Sequence, residues 1–148
     1  MKEAGSFVAH KTGLTKGTPA PHFEAKDQHG NTVSLTDFRG LHLILYFYPK
    51  DNTPACSATA CSLRDEFSLL TSKNYAVVGV SADSVKSHSK FAQKLALPYA
   101  ILADTDMQII KAYDVWGTKM LFGRIYDGIV RTTFVIDGEG VIEQVINE

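Results

Sequence analysis

Apolar residues of this chain come in short blocks that glycine, proline and polar turns separate. The blocks at 41–48 and 75–81 are nearly continuous, rich in aromatic and β-branched residues, and short for helices. Such runs are typical of strands buried on both faces of a sheet. Similar blocks at 99–102, 130–136 and 141–146 predict three more strands, with a tight turn at 137–140 between the last two. Segments 22–26 and 32–35 flank the polar turn 27–31 and predict a further hairpin.

Three segments between these strands carry helix signals. Residues 54–70 have an apolar stripe and begin with Pro54, which suits the first helical position, after Thr53, which suits the N-cap. A second helix is expected up to 95 with Asp83 or Ser84 as its cap, and a third over 105–113 with Asp104 as its cap. The segment 117–123 is expected to be a mobile loop. This order predicts an α/β fold with parallel strands in the middle of the sheet and an antiparallel hairpin at one edge.

Composition limits the classes of protein. The 148 residues suit one domain, and 45% hydrophobic with 21% charged residues exclude a disordered chain. The balance of 15 Lys and Arg against 16 Asp and Glu excludes a general nucleic-acid binder. Residues 1–16 are polar and are expected to form a weakly ordered extension before a single domain at 17–148. The sequence shows neither a signal peptide nor the apolar run of about 20 residues that a membrane helix needs, so we expect a cytoplasmic protein.

The only two cysteines, Cys56 and Cys61, lie five residues apart on the first predicted helix. Cys56 falls in its first turn, where unpaired N–H groups and about +0.5 of helix-dipole charge favour a thiolate. Five helical residues separate two Cα atoms by about 8.6 Å, whereas a disulfide needs about 4.4–6.8 Å. The two cysteines therefore either never bridge or bridge only after the start of the helix unwinds.

A cation beside the thiolate would stabilise it further, and Lys50, Arg64, Arg124 and Arg131 are the candidates. Arg131 stands in an otherwise apolar strand segment, where an unpaired guanidinium is costly to bury. Arg64 is followed by two acidic residues and is expected to form surface ion pairs.

The sequence resembles the peroxiredoxins, in particular the peroxiredoxin Q group, also called bacterioferritin comigratory proteins. The matching motifs are YFYPKDNTPAC at 46–56 and ACSLRD at 60–65. Further matches follow in family order: GTPAPHF at 17–23, VSLTDFRG at 33–40, VSAD at 80–83, LAD at 102–104, VWG at 115–117 and RTTFVID at 131–137. The resemblance covers 17–146 and implies a thioredoxin-like fold, in which helices flank a central mixed sheet.

The resemblance also implies a function and a set of site residues. Cys56 matches the peroxidatic cysteine and Cys61 the resolving cysteine, Thr53 and Arg131 match residues that hold the peroxide and the thiolate, and Pro49 matches a shielding proline. The implied protein is an antioxidant peroxidase, a monomer or weak dimer that needs no cofactor or metal. It reduces hydrogen peroxide and organic hydroperoxides through a Cys56 sulfenic acid and a Cys56–Cys61 disulfide, which thioredoxin resets.

The chain departs from the family at three places, of which the first is a start of 16 residues that exceeds the usual short one. Two other functions compete. Ala55 stands where the family usually has glycine, and the final helix of the family is expected to be missing after 146. A thioredoxin-like disulfide reductase usually carries Cys-x-x-Cys, whereas four residues intervene here. A metal-binding module is disfavoured because the five histidines lack short spacing and lie away from the cysteines. Trp116, Phe122 and Tyr126 are expected to pack in the core or its rim, or to line the approach to Cys56.

Overall fold

The computed structural model describes residues 8–147, except for the side chain of Cys56. The helices are α1 (Pro54–Ser72), α2 (Val85–Leu95) and α3 (Gln108–Ala112), together with a 3₁₀ helix at Leu35–Phe38. The strands are β1 (Glu24–Lys26), β2 (Thr32–Ser34), β3 (His42–Phe47), β4 (Tyr75–Ser81), β5 (Ala100–Ala103), β6 (Trp116–Leu121), β7 (Arg124–Ile129), β8 (Thr132–Ile136) and β9 (Ile142–Asn147).

Strand β3 lies at the centre of a five-stranded sheet of order β5-β4-β3-β8-β9. Strands β3, β4 and β5 run parallel, whereas β8 is antiparallel to β3 and β9 is antiparallel to β8. The predicted parallel centre with an antiparallel hairpin at one edge is confirmed. The hairpin predicted from 22–35 also forms, because β1 pairs antiparallel with β2.

Alternate residues of β3 enter two cores, one on each face of the sheet. Leu43, Leu45 and Phe47 pack in a cluster with side chains of α3 and β8, and Tyr46 packs in another with side chains of α1 and α2, together with Tyr48, which directly follows β3. This double burial explains why the apolar run at 41–48 is nearly continuous. It also fixes the end of β3, and so the loop that follows it, between the two layers.

Helix α1 begins as predicted, after Thr53 and with Pro54 at its first position, and it runs unbroken for 19 residues through both cysteine positions. Helix α2 is capped by Ser84, whose side chain accepts a hydrogen bond from the backbone of Ser87. Of the two caps proposed for α2, Ser84 is therefore correct. The carboxylate of Asp83 instead accepts hydrogen bonds from Asp51 and Ser81 at the same edge of the sheet.

Helix α3 is shorter than the predicted helix at 105–113. Met107 has a φ of 63°, a left-handed conformation that delays the helix to Gln108. The N-cap position is Met107 and not Asp104 as predicted, although the Asp104 carboxylate accepts from the amides of Ile109 and Ile110 at 3.1 and 2.8 Å.

The prediction of a mobile loop at 117–123 is wrong. Strands β6 and β7 form an antiparallel hairpin in which Leu121 pairs with Arg124. The turn residues between them, Phe122 and Gly123, both have positive φ angles, of 51° and 75°. This conformation matches the two-residue turns that join twisted strands, but such turns usually begin with Asn, Asp or Gly. Phe122 at the first turn position hid the hairpin from sequence reasoning.

The segment before the domain is partly described. Residues 1–7 lie outside the described part of the chain, so the expected weak order there stays a prediction. The amide of His10 donates to the Thr118 carbonyl at 3.0 Å, and Thr12 Oγ1 donates to the Tyr113 carbonyl at 2.7 Å. The predicted extension thus contacts the domain from residue 10 onward. Within residues 8–147, no helix combines the length and apolar character needed to cross a bilayer.

An apolar groove runs beside α1 on the face of β3 and β8. Ile44, Leu63, Val135 and Ile146 line it, and Ile146 is 41% exposed. The expectation that a final helix of the family is missing stays a prediction.

Candidate active site

The parallel strands β3 and β4 end at the same edge of the sheet, and their following loops meet there. In open α/β sheets this carboxyl edge is where functional groups collect. The loop after β3 begins at half-buried Pro49, turns at Asn52 with a φ of 65°, and enters α1 after Thr53.

Thr53 occupies the N-cap position of α1, but its side chain does not cap the helix. The hydroxyl donates to the Lys50 carbonyl at 3.3 Å and makes no capping hydrogen bond to the first helical turn. No acidic residue lies in that turn. The N–H groups at the start of α1 are therefore available to an anion, and the positive end of the helix dipole is not neutralised.

Both cysteines belong to this helix. Cys56 is its third residue, and its side chain lies outside the described part of the structure. Cys61 is a half-buried free thiol that follows less than two turns later. Since the helix is continuous from 54 to 72, this form of the protein keeps the two cysteine positions at the spacing of an intact helix.

Of the four candidate cations, Arg131 lies beside the second turn of α1. Half-buried Arg131 stands between β7 and β8 and shares a small pocket with Thr59 and with the end of β3. Arg64 is already used, because Nε bonds Asp65 at 3.0 Å and Nη1 bonds the Leu95 carbonyl at 2.8 Å. The predicted ion pair of Arg64 is thus confirmed. Lys50 and Arg124 are exposed to solvent.

A buried polar network fixes the loop between β3 and α1. The carboxylate of Asp51, only 4% exposed, accepts hydrogen bonds from Tyr48 at 2.6 Å, from Ser87 at 2.8 Å and from His88 Nδ1 at 2.8 Å. The second ring nitrogen of His88, Nε2, lies 2.9 Å from the Leu102 carbonyl. The network thereby joins the loop to β3, to α2 and to the end of β5.

The partners assign the charges in this network. A carbonyl oxygen only accepts, so Nε2 of His88 carries a proton and donates to Leu102. Burial alone would raise the pKa of Asp51, but the hydrogen bonds from His88 and Tyr48 and the charge of His88 bring it below its ordinary value. An ionised carboxylate only accepts, so Nδ1 of His88 donates to Asp51. Burial, followed by the charge of Asp51, raises the pKa of Tyr48 far above its ordinary value and keeps its hydroxyl a donor.

The same loop is also tied to the end of β4. The backbone amide of Asp51 donates to Asp83 Oδ2 at 2.8 Å, and the hydroxyl of Ser81 donates to the same oxygen at 2.8 Å. Asp51, Asp83 and His88 bring potential metal ligands within 4.8 Å of one another. Because hydrogen bonds within the network already occupy these atoms, we interpret the group as a clamp on the loop.

A second buried network holds α1 on the other side of Cys56. Tyr99 donates its hydroxyl to the carbonyl of Ala60 at 3.0 Å, and the hydroxyl of Tyr46 lies 3.0 Å from that of Tyr99. Burial raises the pKa of Tyr99 to about 12, a hydrogen bond with Tyr46 opposes the shift, and the nearby Cys61 adds to it. Gly79 leaves room for the ring of Tyr46, because a Cβ atom at this position would lie 2.7 Å from Cζ of Tyr46.

Sequence reasoning missed both networks. Asp51 and His88 are 37 residues apart, and Tyr99 and Ala60 are 39 residues apart. A usable signal existed for the first network, since Asp51 and Asp83 each follow a predicted parallel strand and such strand ends meet at one edge.

Two other sets of residues lie on the start of β3 and on the β6–β7 hairpin. His42 stacks on Tyr75 at the start of β3 and bonds Glu143 at 3.0 Å. Trp116, Phe122 and Tyr126 are 40%, 98% and 41% exposed on the β6–β7 hairpin. Core packing is therefore wrong for all three side chains and rim packing for Phe122, whereas a place along the approach to Cys56 stays a prediction.

Comparisons with known proteins agree with this geometry. A model of the AhpC/TSA family matches residues 16–145. Peroxiredoxin Bcp of Bacillus subtilis (strain 168) is 45% identical over 124 residues, which cover 84% of this chain and 79% of that protein. Peroxiredoxin Bcp of Escherichia coli (strain K12) is 43% identical over 135 residues, which cover 91% of this chain and 86% of that protein.

Solved structures give the same result. A cysteine-to-serine mutant of PrxQ from Xylella fastidiosa superposes with a TM-score of 0.85 at 31% identity, covering 93% of this chain and 87% of that chain. Peroxiredoxin Q of Xanthomonas campestris superposes with a TM-score of 0.79 at 31% identity, covering 84% of this chain and 79% of that chain. The predicted thioredoxin-like fold is confirmed. The chain therefore belongs to the AhpC/TSA family, among the Bcp or Q-type peroxiredoxins, and is a thiol-dependent peroxidase.

Proposed function

We propose that Cys56 is the residue that attacks the peroxide. Its thiolate sulfur bonds to one peroxide oxygen while the O–O bond breaks, and the other oxygen takes up a proton and leaves as water or alcohol. The product is a sulfenic acid on Cys56. The observation that carries this proposal is the position of Cys56, third in a helix whose start has no side-chain cap and no acidic residue. Such a helix start favours a thiolate.

We assign Arg131 and Thr53 to the peroxide oxygens. The pocket that Arg131 shares with Thr59 of α1 supports a role for its guanidinium in stabilising charge on the leaving oxygen. The hydroxyl of Thr53 makes only a 3.3 Å hydrogen bond to Lys50, so it can turn to donate to the substrate. Pro49, half-buried at the end of β3, adds an apolar ring that limits access of water to the thiolate.

We propose that Cys61 resolves the sulfenic acid. Its thiolate attacks the sulfur of Cys56, an S–S bond forms, and the sulfenic hydroxyl takes up a proton and leaves as water. An intact helix holds the Cα atoms about 8.6 Å apart, so the first turns of α1 must unwind before the bond forms. The continuity of α1 through both positions supports this requirement.

The protein acts on hydroperoxides with a thioredoxin-type reductant, as its family does. We propose that hydrogen peroxide and organic hydroperoxides are both substrates, and that thioredoxin itself returns the two electrons to the disulfide. The bacterioferritin comigratory protein of Xanthomonas campestris, a structural relative at 30% identity, has alkyl peroxide reduction activity, which supports the organic substrates. The cytoplasmic location and the state of a monomer or weak dimer belong to the same proposal.

Intact-mass spectrometry after one equivalent of hydrogen peroxide tests these assignments. We expect a loss of two hydrogen masses in the wild type, a gain of one oxygen in Cys61→Ser and no change in Cys56→Ser. With thioredoxin and its reductase, both variants should lose turnover. Turnover by Cys56→Ser would contradict the peroxidatic role, and full turnover by Cys61→Ser would contradict only the resolving role. Insulin reduction without peroxide consumption would favour the disulfide reductase instead.

A further inference from the structure

We propose that Asp51 is a positioning residue for Cys56, an inference that rests on the proposed peroxidatic role of that cysteine. Its clamped carboxylate holds the loop that starts α1, and the loop in turn sets the place of the reactive thiol. Asp51 does not touch the substrate in this proposal; it acts through the backbone of residues 52–56.

The need for such a device follows from the start of α1. A helix usually gains its first anchor from an N-cap side chain. In α1 the Thr53 hydroxyl turns away to Lys50, and the first turn is exposed at Pro54 and Ala55. The helix start is left open for chemistry, so its position must be fixed from outside the helix.

Asp51 supplies that fixation from a buried site. Its two carboxylate oxygens accept from Tyr48, Ser87 and His88 at 2.6–2.8 Å. Its amide donates to Asp83 at 2.8 Å. These partners belong to the end of β3, to the first half of α2 and to the end of β4. Asp51 is thus held from three elements at the point where the chain leaves the core.

The link from Asp51 to Cys56 is short and stiff. Asn52 is in the left-handed region with a φ of 65°, a conformation that few residues other than glycine and asparagine adopt readily. Pro54 has its φ fixed by the ring. The Thr53 carbonyl then accepts from the Ser57 amide at 2.9 Å and closes the first turn. A shift of Asp51 is therefore passed to Cys56 instead of being absorbed between them.

The experiment compares two buried tyrosines in a Cys61→Ser background, which leaves Cys56 as the only thiol. Tyr48→Phe removes the 2.6 Å hydrogen bond to Asp51. Tyr113→Phe is the matched control, because it removes a 2.6 Å hydrogen bond from a buried tyrosine to the Pro21 carbonyl, which is not part of the clamp. Ser87→Ala, with exposed Ser89→Ala as its control, weakens the same clamp more gently.

Three readouts separate positioning from stability: the second-order rate of sulfenic acid formation with hydrogen peroxide, the pH midpoint of alkylation by iodoacetamide, and the Tm. We expect Tyr48→Phe to slow oxidation about ten-fold or more, because small displacements of a reacting group carry large rate costs. The alkylation midpoint should rise. Ser87→Ala should show a smaller change in the same direction, whereas Tyr113→Phe should lower only the Tm.

Equal rates and equal alkylation midpoints in Tyr48→Phe and Tyr113→Phe, at similar losses of Tm, would overturn the positioning role. A Cys61→Ser parent that does not react with peroxide would contradict the proposed function of Cys56. The alkylation midpoints of the variants then decide the positioning role by themselves.

Discussion

Helices α1 and α2 both begin at the carboxyl edge of the central sheet, after the parallel strands β3 and β4, yet their first turns are built differently. At α2, Ser84 caps the helix with its own hydroxyl, which accepts from Ser87 at 3.1 Å. At α1, the corresponding Thr53 hydroxyl points back to Lys50, and the helix is held through Asp51 by side chains of its neighbours. The first helix is thus supported by the second.

This difference relates directly to the chemistry. A cap on α1 would occupy the N–H groups that stabilise a thiolate, and it would resist the unwinding that the proposed Cys56–Cys61 disulfide requires. Anchors at Asp51 and Ala60 instead bracket the segment 52–59, which has no fully buried residue among those whose side chains are described. We interpret this segment as held in place in the reduced protein and as the part of the chain that unwinds after Cys56 is oxidised, with α2 as the fixed support.

The largest expected effect is the loss of folding stability when His88 of α2 no longer bonds Asp51. His88→Leu keeps most of the side-chain volume but leaves a buried carboxylate on Asp51 without its cation. Breaking a buried ion pair in this way costs about 3–5 kcal/mol. Urea denaturation of the reduced protein should show this loss in the free energy of unfolding.

His42→Leu is the control, since His42 and Glu143 form a pair that is 40% and 33% exposed. Exposed pairs contribute about 0–1 kcal/mol. A loss in His88→Leu no larger than that in His42→Leu would show that the clamp does not hold α1.

The next largest effect is expected from removing the positive charge of Arg131, which adds to that of the helix start. Arg131→Ala should lower the second-order rate with hydrogen peroxide about a hundred-fold, because a positioned donor to the developing negative charge contributes at least that much. Arg124→Ala, on the exposed β7 strand, should leave the rate unchanged. Stopped-flow kinetics measures both, and equal rates in the two variants would remove Arg131 from the site.

A smaller effect tests the two caps against each other. Ser84→Ala should destabilise the protein by about 1 kcal/mol, the usual contribution of an N-cap side chain. Thr53→Ala should lower the free energy of unfolding by only about 0.3 kcal/mol, because the Thr53 hydroxyl makes no capping bond. Parallel denaturation curves give the comparison. A full N-cap cost at Thr53 would contradict the open start of α1.

The smallest expected effect is a loss of folding stability in acid, when the Asp51 carboxylate of the clamp is protonated. The pKa of Asp51 is lowered in the folded protein, so its contribution is fully present above the ordinary aspartate pKa of about 3.9. It is lost as pH falls through the lower, folded value. The free energy of unfolding should therefore fall more steeply below pH 4 in the wild type than in Asp51→Asn. Parallel acid profiles of the two proteins would show that Asp51 is not the titrating group.

Local signals in the sequence predicted much of this fold. Proline after threonine marked the start of α1, and the continuous apolar run marked β3 as a buried strand. The β6–β7 hairpin escaped because Phe122 stands where its turn normally has a residue that tolerates positive φ. The length of α3 escaped for a similar reason, since Met107 adopts a left-handed conformation that its residue type does not suggest.

The candidate site likewise contains residues that local sequence signals indicated and residues that only the fold brings together. The cysteine spacing, the N-cap position and Arg131 were visible as motifs within one segment or through the resemblance. The clamp was not, because His88 and Tyr48 meet Asp51 only after β3 and β4 pair in parallel. The sequence raised His88 only as a potential metal ligand, and its role depends on two acceptors that no local pattern reveals.

Amide hydrogen exchange of the reduced and the peroxide-oxidised protein tests the central claim most directly. Oxidation should remove protection from amides in the first turns of α1, up to about residue 60, while α2 keeps its protection. A disulfide between Cys56 and Cys61 with unchanged protection at the start of α1 would contradict the unwinding of this helix. Equal loss of protection in α1 and α2 would contradict the distinction between the moving segment and its support.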